Sequence, residues 1–266
     1  MLPISVSGEQ YADINTRDGQ GRQPIHVACG NNLVDLAKWL HDEAREGPDQ
    51  RRASLTAVVI GQNIRRGWQP IHFCAAGGGV EVMEWLLDSG INPHTPTEDD
   101  SMATPLVLAV KYGQLPIAQL YFRRFNSQHP SLLSQTDVGD MSLLHIVSDL
   151  RVAKFLYFKG ASLYWRSRCG ELPIHQYAKS NDRLEVLQWA IDDRMFPIYP
   201  TDSLNWMAVH HSASRDSHMC FMFLVRRMKR EGVDFMQKVS NGRTTRELAE
   251  DYESVKVLAL IAEGVF

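Results

Sequence analysis

The chain has 266 residues, 44% of them hydrophobic and 22% charged, with a formal net charge of -3. This is enough apolar material to fold throughout, and it excludes a highly charged disordered chain. With a pI near 6.4 there is no global basic field, so duplex nucleic acid is not an expected partner.

After a lead-in over residues 1–12, the first unit runs through a turn-rich stretch at 15–22 into Gln23-Pro24-Ile25-His26-Val27-Ala28 and then an apolar stripe at 33–40. Residues 44–64 read as an insertion: Gly47-Pro48 breaks the helix, and the apolar run that follows belongs to no repeat. The second unit opens with Gln69-Pro70-Ile71-His72 and closes on Gly90, a glycine suited to a left-handed helix end. Residues 94–100, with Pro96, Glu98, Asp99 and Asp100, lengthen the next loop. The third unit begins at Thr104-Pro105-Leu106-Val107, the fourth at Ser142-Leu143-Leu144-His145 and the fifth at Leu172-Pro173-Ile174-His175. The fourth is shortened, 18 residues from Ser142 to Gly160 against 21 from Gln69 to Gly90, so its helix pair is expected to be stunted near Asp149-Leu150. A degenerate sixth unit carries Met207-Ala208-Val209-His210, and residues 241–266 read as a capping unit with Glu250, Asp251, Glu253 and Lys256 toward solvent.

Successive phrases are spaced by 46, 35, 38, 30, 35 and 37 residues, the signature of one helix-turn-helix unit stacked many times. The phrase has a physical logic. A polar residue caps the helix, and proline at the first helical position gives up an N–H that has no partner anyway.

These units resemble ankyrin repeats, whose first helix opens with Thr-Pro-Leu-His-x-Ala and whose second ends in a Leu-rich turn before Gly. The resemblance implies an all-α solenoid of about six to seven helix-turn-helix units with short β-hairpin loops, one domain over residues 1–266. It also implies that the histidine ring and a threonine hydroxyl tie the first helix to neighbouring turns. Gln23, Gln69, Leu172 and Met207 stand in the threonine position, so weaker caps are expected there.

The chemistry-bearing residues have structural readings. Five of the ten histidines, His26, His72, His145, His175 and His210, occupy the phrase position on successive units rather than around one point, so no metal is expected. His210, His211 and His218 form the one residual cluster. Cys29 and Cys74 fall on small-residue helix positions and are expected to be buried and inert; Cys169 sits beside Arg166 and Arg168, where a reactive thiol is conceivable. The four cysteines form no Cys-x-x-Cys pair, which argues against a zinc ribbon and a disulfide framework and favours a reducing compartment. Gly77-Gly78-Gly79 lacks the Lys-Ser/Thr of a phosphate loop and reads as a turn between helices. Trp39, Trp85 and Trp189 recur at equivalent positions and read as inter-repeat packing. No cofactor is expected.

What the resemblance implies for function is a non-catalytic protein–protein scaffold or adaptor, binding through a concave face of loop tips and first helices. Mapped onto this chain, that face is Arg22, Arg65, Arg66, Trp68, Phe73, Lys111, Tyr112, Trp165, Arg166, Arg168, Gln176, Lys179, His211 and Arg243. Exposed Trp, Tyr and Arg anchor interfaces because they bury much area at modest entropic cost. The expected partner is another protein, met by a monomer or within a hetero-complex. The first residues, Met1-Leu2-Pro3-Ile4-Ser5, do not read as a signal peptide and no run reaches the roughly 18 apolar residues of a membrane span, so a cytoplasmic or nuclear address is expected. Rival readings are a secreted or host-directed effector, a ubiquitin-ligase substrate receptor, and an enzyme using residues 200–220, for which no acid, base and nucleophile set is evident.

Overall fold

The computed structural model describes residues 13–43, 53–58, 67–125, 132–133, 139–239 and 241–264. The lead-in 1–12 and most of the insertion 44–64 lie outside them, as do Arg65 and Arg66. The chain falls into two compact units, Met1–His129 and Pro130–Phe266.

In the first unit the helices are α1 (Pro24–Gly30), α2 (Val34–Lys38, continuing as a π turn over Trp39–Glu43), α3 (Pro70–Gly77), α4 (Val80–Asp88), α5 (Pro105–Lys111) and α6 (Leu115–Arg124). The second has α7 (Leu143–Ile146), α8 (Leu150–Phe158), α9 (Pro173–Ala178), α10 (Leu184–Gln188, continuing as a π turn over Trp189–Asp193), α11 (Ala208–Ser214), α12 (His218–Glu231), α13 (Thr245–Asp251) and α14 (Val255–Glu263). Within each unit the odd-numbered helices stack on one another and the even-numbered ones form a second layer. Small side chains make this close stacking possible. Ala28, Cys29, Cys74, Ala75 and Ala109 are fully buried, and a Cβ on Gly77 would collide with the carbonyl of Gly30.

No strand forms among the described residues. The loops turn back through paired backbone bonds: Ser167 N–H donates to Glu171 O and Gly170 N–H to Ser167 O, and Asp18, Asp202 and Val239 repeat the pattern. The tip side chain often completes the turn, as where Asp18 and Asp202 accept from the N–H four residues on.

The phrase histidines all make the same pair of bonds. Nδ1 accepts the backbone N–H of the residue that starts the phrase, at 3.0 Å for Gln23, 2.8 Å for Gln69, 3.1 Å for Ser142, 2.9 Å for Leu172 and 2.9 Å for Met207. Nε2–H donates forward to the carbonyl of Ala57, Thr95, Glu171, Pro200 or Gln237. Leu172 and Met207 indeed bring no side-chain cap, and the ring supplies what their helix starts retain. Two phrases depart from this: Thr104 caps Val107 with its own hydroxyl, and Thr244 with Glu247 forms a reciprocal capping box.

The second-layer helices draw caps from the preceding repeat. Asn32 Oδ1 accepts from Val82 N–H, Asn181 Oδ1 from Met219 N–H and Asp216 Oδ1 from Val257 N–H, serving the starts of α4, α12 and α14. The described part of the insertion is also built in. Ala53 and Leu55 are buried, and Ala57 holds His26.

Two expectations need correction. In the shortened fourth repeat only the first helix is stunted: α7 has 4 residues but α8 has 9, as many as α4. The chain leaves α7 in an extended conformation at Val147, and Asp149 caps α8 through Arg151 and Val152 N–H. The tryptophan stripe is core only in part. Trp189 is buried against Tyr157 of the preceding repeat, Trp85 is half-buried against His41, and Trp39, which starts the first helix pair's π turn, is 46% exposed.

Candidate protein-binding face

In the first unit the expected face divides into an inside and an outside. Trp68 and Phe73 are corrected from contact residues to core: they are 4% and 6% exposed, their rings meet edge-on at 5.3 Å, and His26 packs on Phe73. The Trp68 Nε1–H donates to Asp99 Oδ2 at 2.7 Å. Burial opposes the charge of Asp99, but donors from Ser101, Trp68 and Thr97 outweigh it and hold the carboxyl below its usual range. The lengthened loop at 94–100 thus turns one acid inward. Arg22 is half-buried and closes its own tip on Asp18 at 2.7 Å. Lys111 and Tyr112 stand exposed at the end of α5.

In the second unit the loop tips are stitched side by side. Trp165, 39% exposed, donates its indole N–H to Asp140 O, and the Arg168 guanidinium reaches Asp140 Oδ2 at 3.3 Å. Arg166 bridges one tip to the next, donating to Gly170 O at 2.6 Å and Thr201 O at 2.9 Å; Arg17 does the same in the first unit with Gly21 and Val58. Trp165, Arg166 and Arg168 therefore form an exposed row with one edge of each side chain held. Arg243 is exposed and pairs with Asp251.

Gln176, Lys179 and His211 converge instead on two acids that the sequence reading passed over. Lys179 Nζ lies 2.8 Å from Glu171 Oε1, the Gln176 amide donates to Glu171 Oε2, and His211 Nε2 donates to Asp202 Oδ2 at 3.0 Å. His211, 6% exposed, is corrected from surface to interior, packed between the rings of Trp206 and His175. Burial works against both carboxylates, yet both are held below their usual range, Glu171 by Lys179 first and Asp202 by His211 first. A signal for this cluster was available. Glu171 sits just before its phrase, as Arg22 and Trp68 do, and Asp202 occupies the tip position of Asp18.

Donor atoms of Glu171, Asp202 and His211 lie within 4.8 Å of one another, a spacing a cation could bridge. The Lys179 ammonium already stands on Glu171, and the Oδ1 of Asp202 takes the N–H of Leu204 and Trp206, so the protein balances this cluster with its own groups. Elsewhere in residues 200–220, His210 is tied at both nitrogens, Ser212 and Ser214 donate to helix carbonyls, and burial pushes the Cys220 thiol up to about 12. Burial likewise pushes Cys29 up to about 12, while Cys169 is exposed. His218 lies apart from His210 and His211, against Asn181. No described helix is long and apolar enough to cross a membrane.

No curated protein matches this chain. Residues 4–95 match the family model described as ankyrin repeats, in 3 copies. Over those residues the chain is similar to ankyrin repeats, and the same helix pair and histidine bridge recur beyond them as far as His210.

Proposed function

We propose that this protein is a non-catalytic scaffold or adaptor that holds another protein against its loop tips and first-layer helices, in the cytoplasm or nucleus. Ankyrin repeats generally mediate protein–protein interaction. The observation that carries the reading is the row Trp165, Arg166 and Arg168, where an aromatic and two guanidinium groups are exposed while bonds to Asp140, Gly170 and Thr201 fix their direction. Side chains held in this way lose little entropy on binding. Lys111 and Tyr112 offer a comparable patch in the first unit.

The test is affinity capture with cross-linking from the protein's own cells, comparing wild type with Trp165→Ala/Arg168→Ala and Lys111→Ala/Tyr112→Ala. Partners recovered by wild type and lost by either variant at unchanged melting temperature support the reading. Identical recovery by all three overturns it.

A further inference from the structure

The second-layer helices carry two arginine pairs that differ in one partner. In the first unit Arg123 meets Glu84 at 2.8 Å and Arg124 meets Asp88 at 2.5 Å, joining α6 to α4. Arg226 and Arg227 occupy the corresponding turn of α12, and Gln188 and Asp192 stand where α4 has Glu84 and Asp88. Arg227 keeps its acid, Asp192 at 3.2 Å, and gains Glu231 at 2.6 Å. Arg226 faces an amide where its counterpart has a carboxylate, and among the described residues no acid pairs with Arg226 or Arg230.

A groove of about 310 Å³ opens at this point between α10 with its π turn and α12. Met219, Met222 and Phe223 line it with Arg226 and Arg230, positions that fall on one face of a helix. Pro116 and Gln119 stand where Met219 and Met222 do in the first unit, so apolar lining and missing acid occur together.

We propose that this groove docks a short acidic segment of another protein, with a carboxylate on Arg226 in the place Glu84 takes on Arg123 and an apolar side chain against the methionines. The internal ion pair shows which chemistry satisfies that arginine. Guanidinium groups match carboxylates in a planar fork, and methionine adapts to apolar side chains of differing shape. The volume is at the small end of ligand pockets and suits one or two side chains; a stable dimer face needs an area of order 1,000 Å². This surface is separate from the tip row, so each can fail alone.

The probe is a labelled pool of ten-residue peptides carrying one Leu, Met or Phe and a Glu three or four positions away, read by fluorescence anisotropy on the full chain. Saturable binding is expected, weakened about fivefold by Arg226→Ala and by a similar factor by Arg230→Ala. Gln188→Glu, which rebuilds the first unit's internal pair and leaves the fold intact, is expected to weaken it by about the same factor. Arg123→Ala leaves binding unchanged, and peptides with Gln for Glu bind about fivefold more weakly. The proposal is overturned if no acidic peptide saturates, if Gln188→Glu and Arg226→Ala bind like wild type, or if sedimentation shows a dimer that Arg226→Ala dissociates, which would make a second copy the occupant.

Discussion

The Nε2–H of His72 donates to the carbonyl oxygen of Thr95 at 2.9 Å, tying α3 to the loop that leads into the next repeat. Because Nδ1 of the same ring accepts the Gln69 N–H, both bonds require the neutral imidazole. Burial lowers His72, His175 and His210 from 6.5 to about 4, and lowers His26 in the same direction. The unfolded chain therefore binds more protons between these values. Stability is full above pH 6.5 and falls as pH drops toward 4, by on the order of 3 kcal/mol at the lower limit for each of His72, His175 and His210. Glu171, Asp99 and Asp202, held below their usual range, begin to add their loss as pH falls past their ordinary values of 4.5 for the glutamate and 3.8 for the aspartates. Melting followed by circular dichroism should show a plateau above pH 7 and a steep decline between pH 6 and 4.5. A level melting temperature across that window would contradict the neutral-bridge account.

The caps passed from one repeat to the next predict a graded series at Asp216, whose φ of 51° is left-handed and whose carboxylate holds the Val257 N–H. Asp216→Asn keeps the acceptor and tolerates the backbone, so it should stay near wild type. Asp216→Gly keeps only the backbone and should lose about 1 kcal/mol. Asp216→Ala loses both and should fall by about 2 kcal/mol. Urea unfolding measures all three, and equal stability of the Gly and Asn variants would remove the cap from the account.

The helix starts were legible in the sequence because Pro-Ile-His acts locally: proline sets one dihedral, and the histidine returns to a backbone N–H three residues away. The forward bond to Thr95 or Pro200 entered only through resemblance to a family. Asn32, Asn181 and Asp216 were unreadable as caps, since each serves a helix in the following repeat. The burial of Trp68 has a similar cause, for its partner Asp99 lies 31 residues away in the lengthened loop that leads into the next repeat. Glu171 and Asp202 were not legible as a cluster because their partners Lys179 and His211 lie eight and nine residues further on, and the two acids meet only when neighbouring repeats stack.

Trp68 is best probed by separating its ring from its N–H. Trp68→Phe keeps most of the packing on Phe73 but removes one donor from the part-buried Asp99 carboxylate, at a cost of about 1.5 to 3 kcal/mol. Trp68→Ala adds a cavity and should cost about 3 to 5 kcal/mol. At temperatures where Trp68→Phe is folded, partner capture should match wild type. Lost capture by this folded variant would return Trp68 to the contact surface.

Met195 offers the reverse test, in which stability and binding should move apart. It follows the π turn at the point where earlier repeats place Gly90 and Gly160, all three with positive φ, and at 52° it is the one with a side chain. A left-handed backbone costs an L-residue about 1 kcal/mol that glycine avoids, and glycine's greater unfolded freedom offsets part of this. Met195→Gly should therefore raise stability by about 0.5 kcal/mol. Yet the methionine is 83% exposed and directly precedes Phe196, on which Tyr164, 67% exposed, packs. Strain retained for a solvent-facing apolar side chain suits a contact residue. Partner recovery should thus fall in the more stable glycine variant, and fall equally in Met195→Ala, which keeps the strain and loses the side chain. Full recovery by both variants would leave the strained methionine without a binding role.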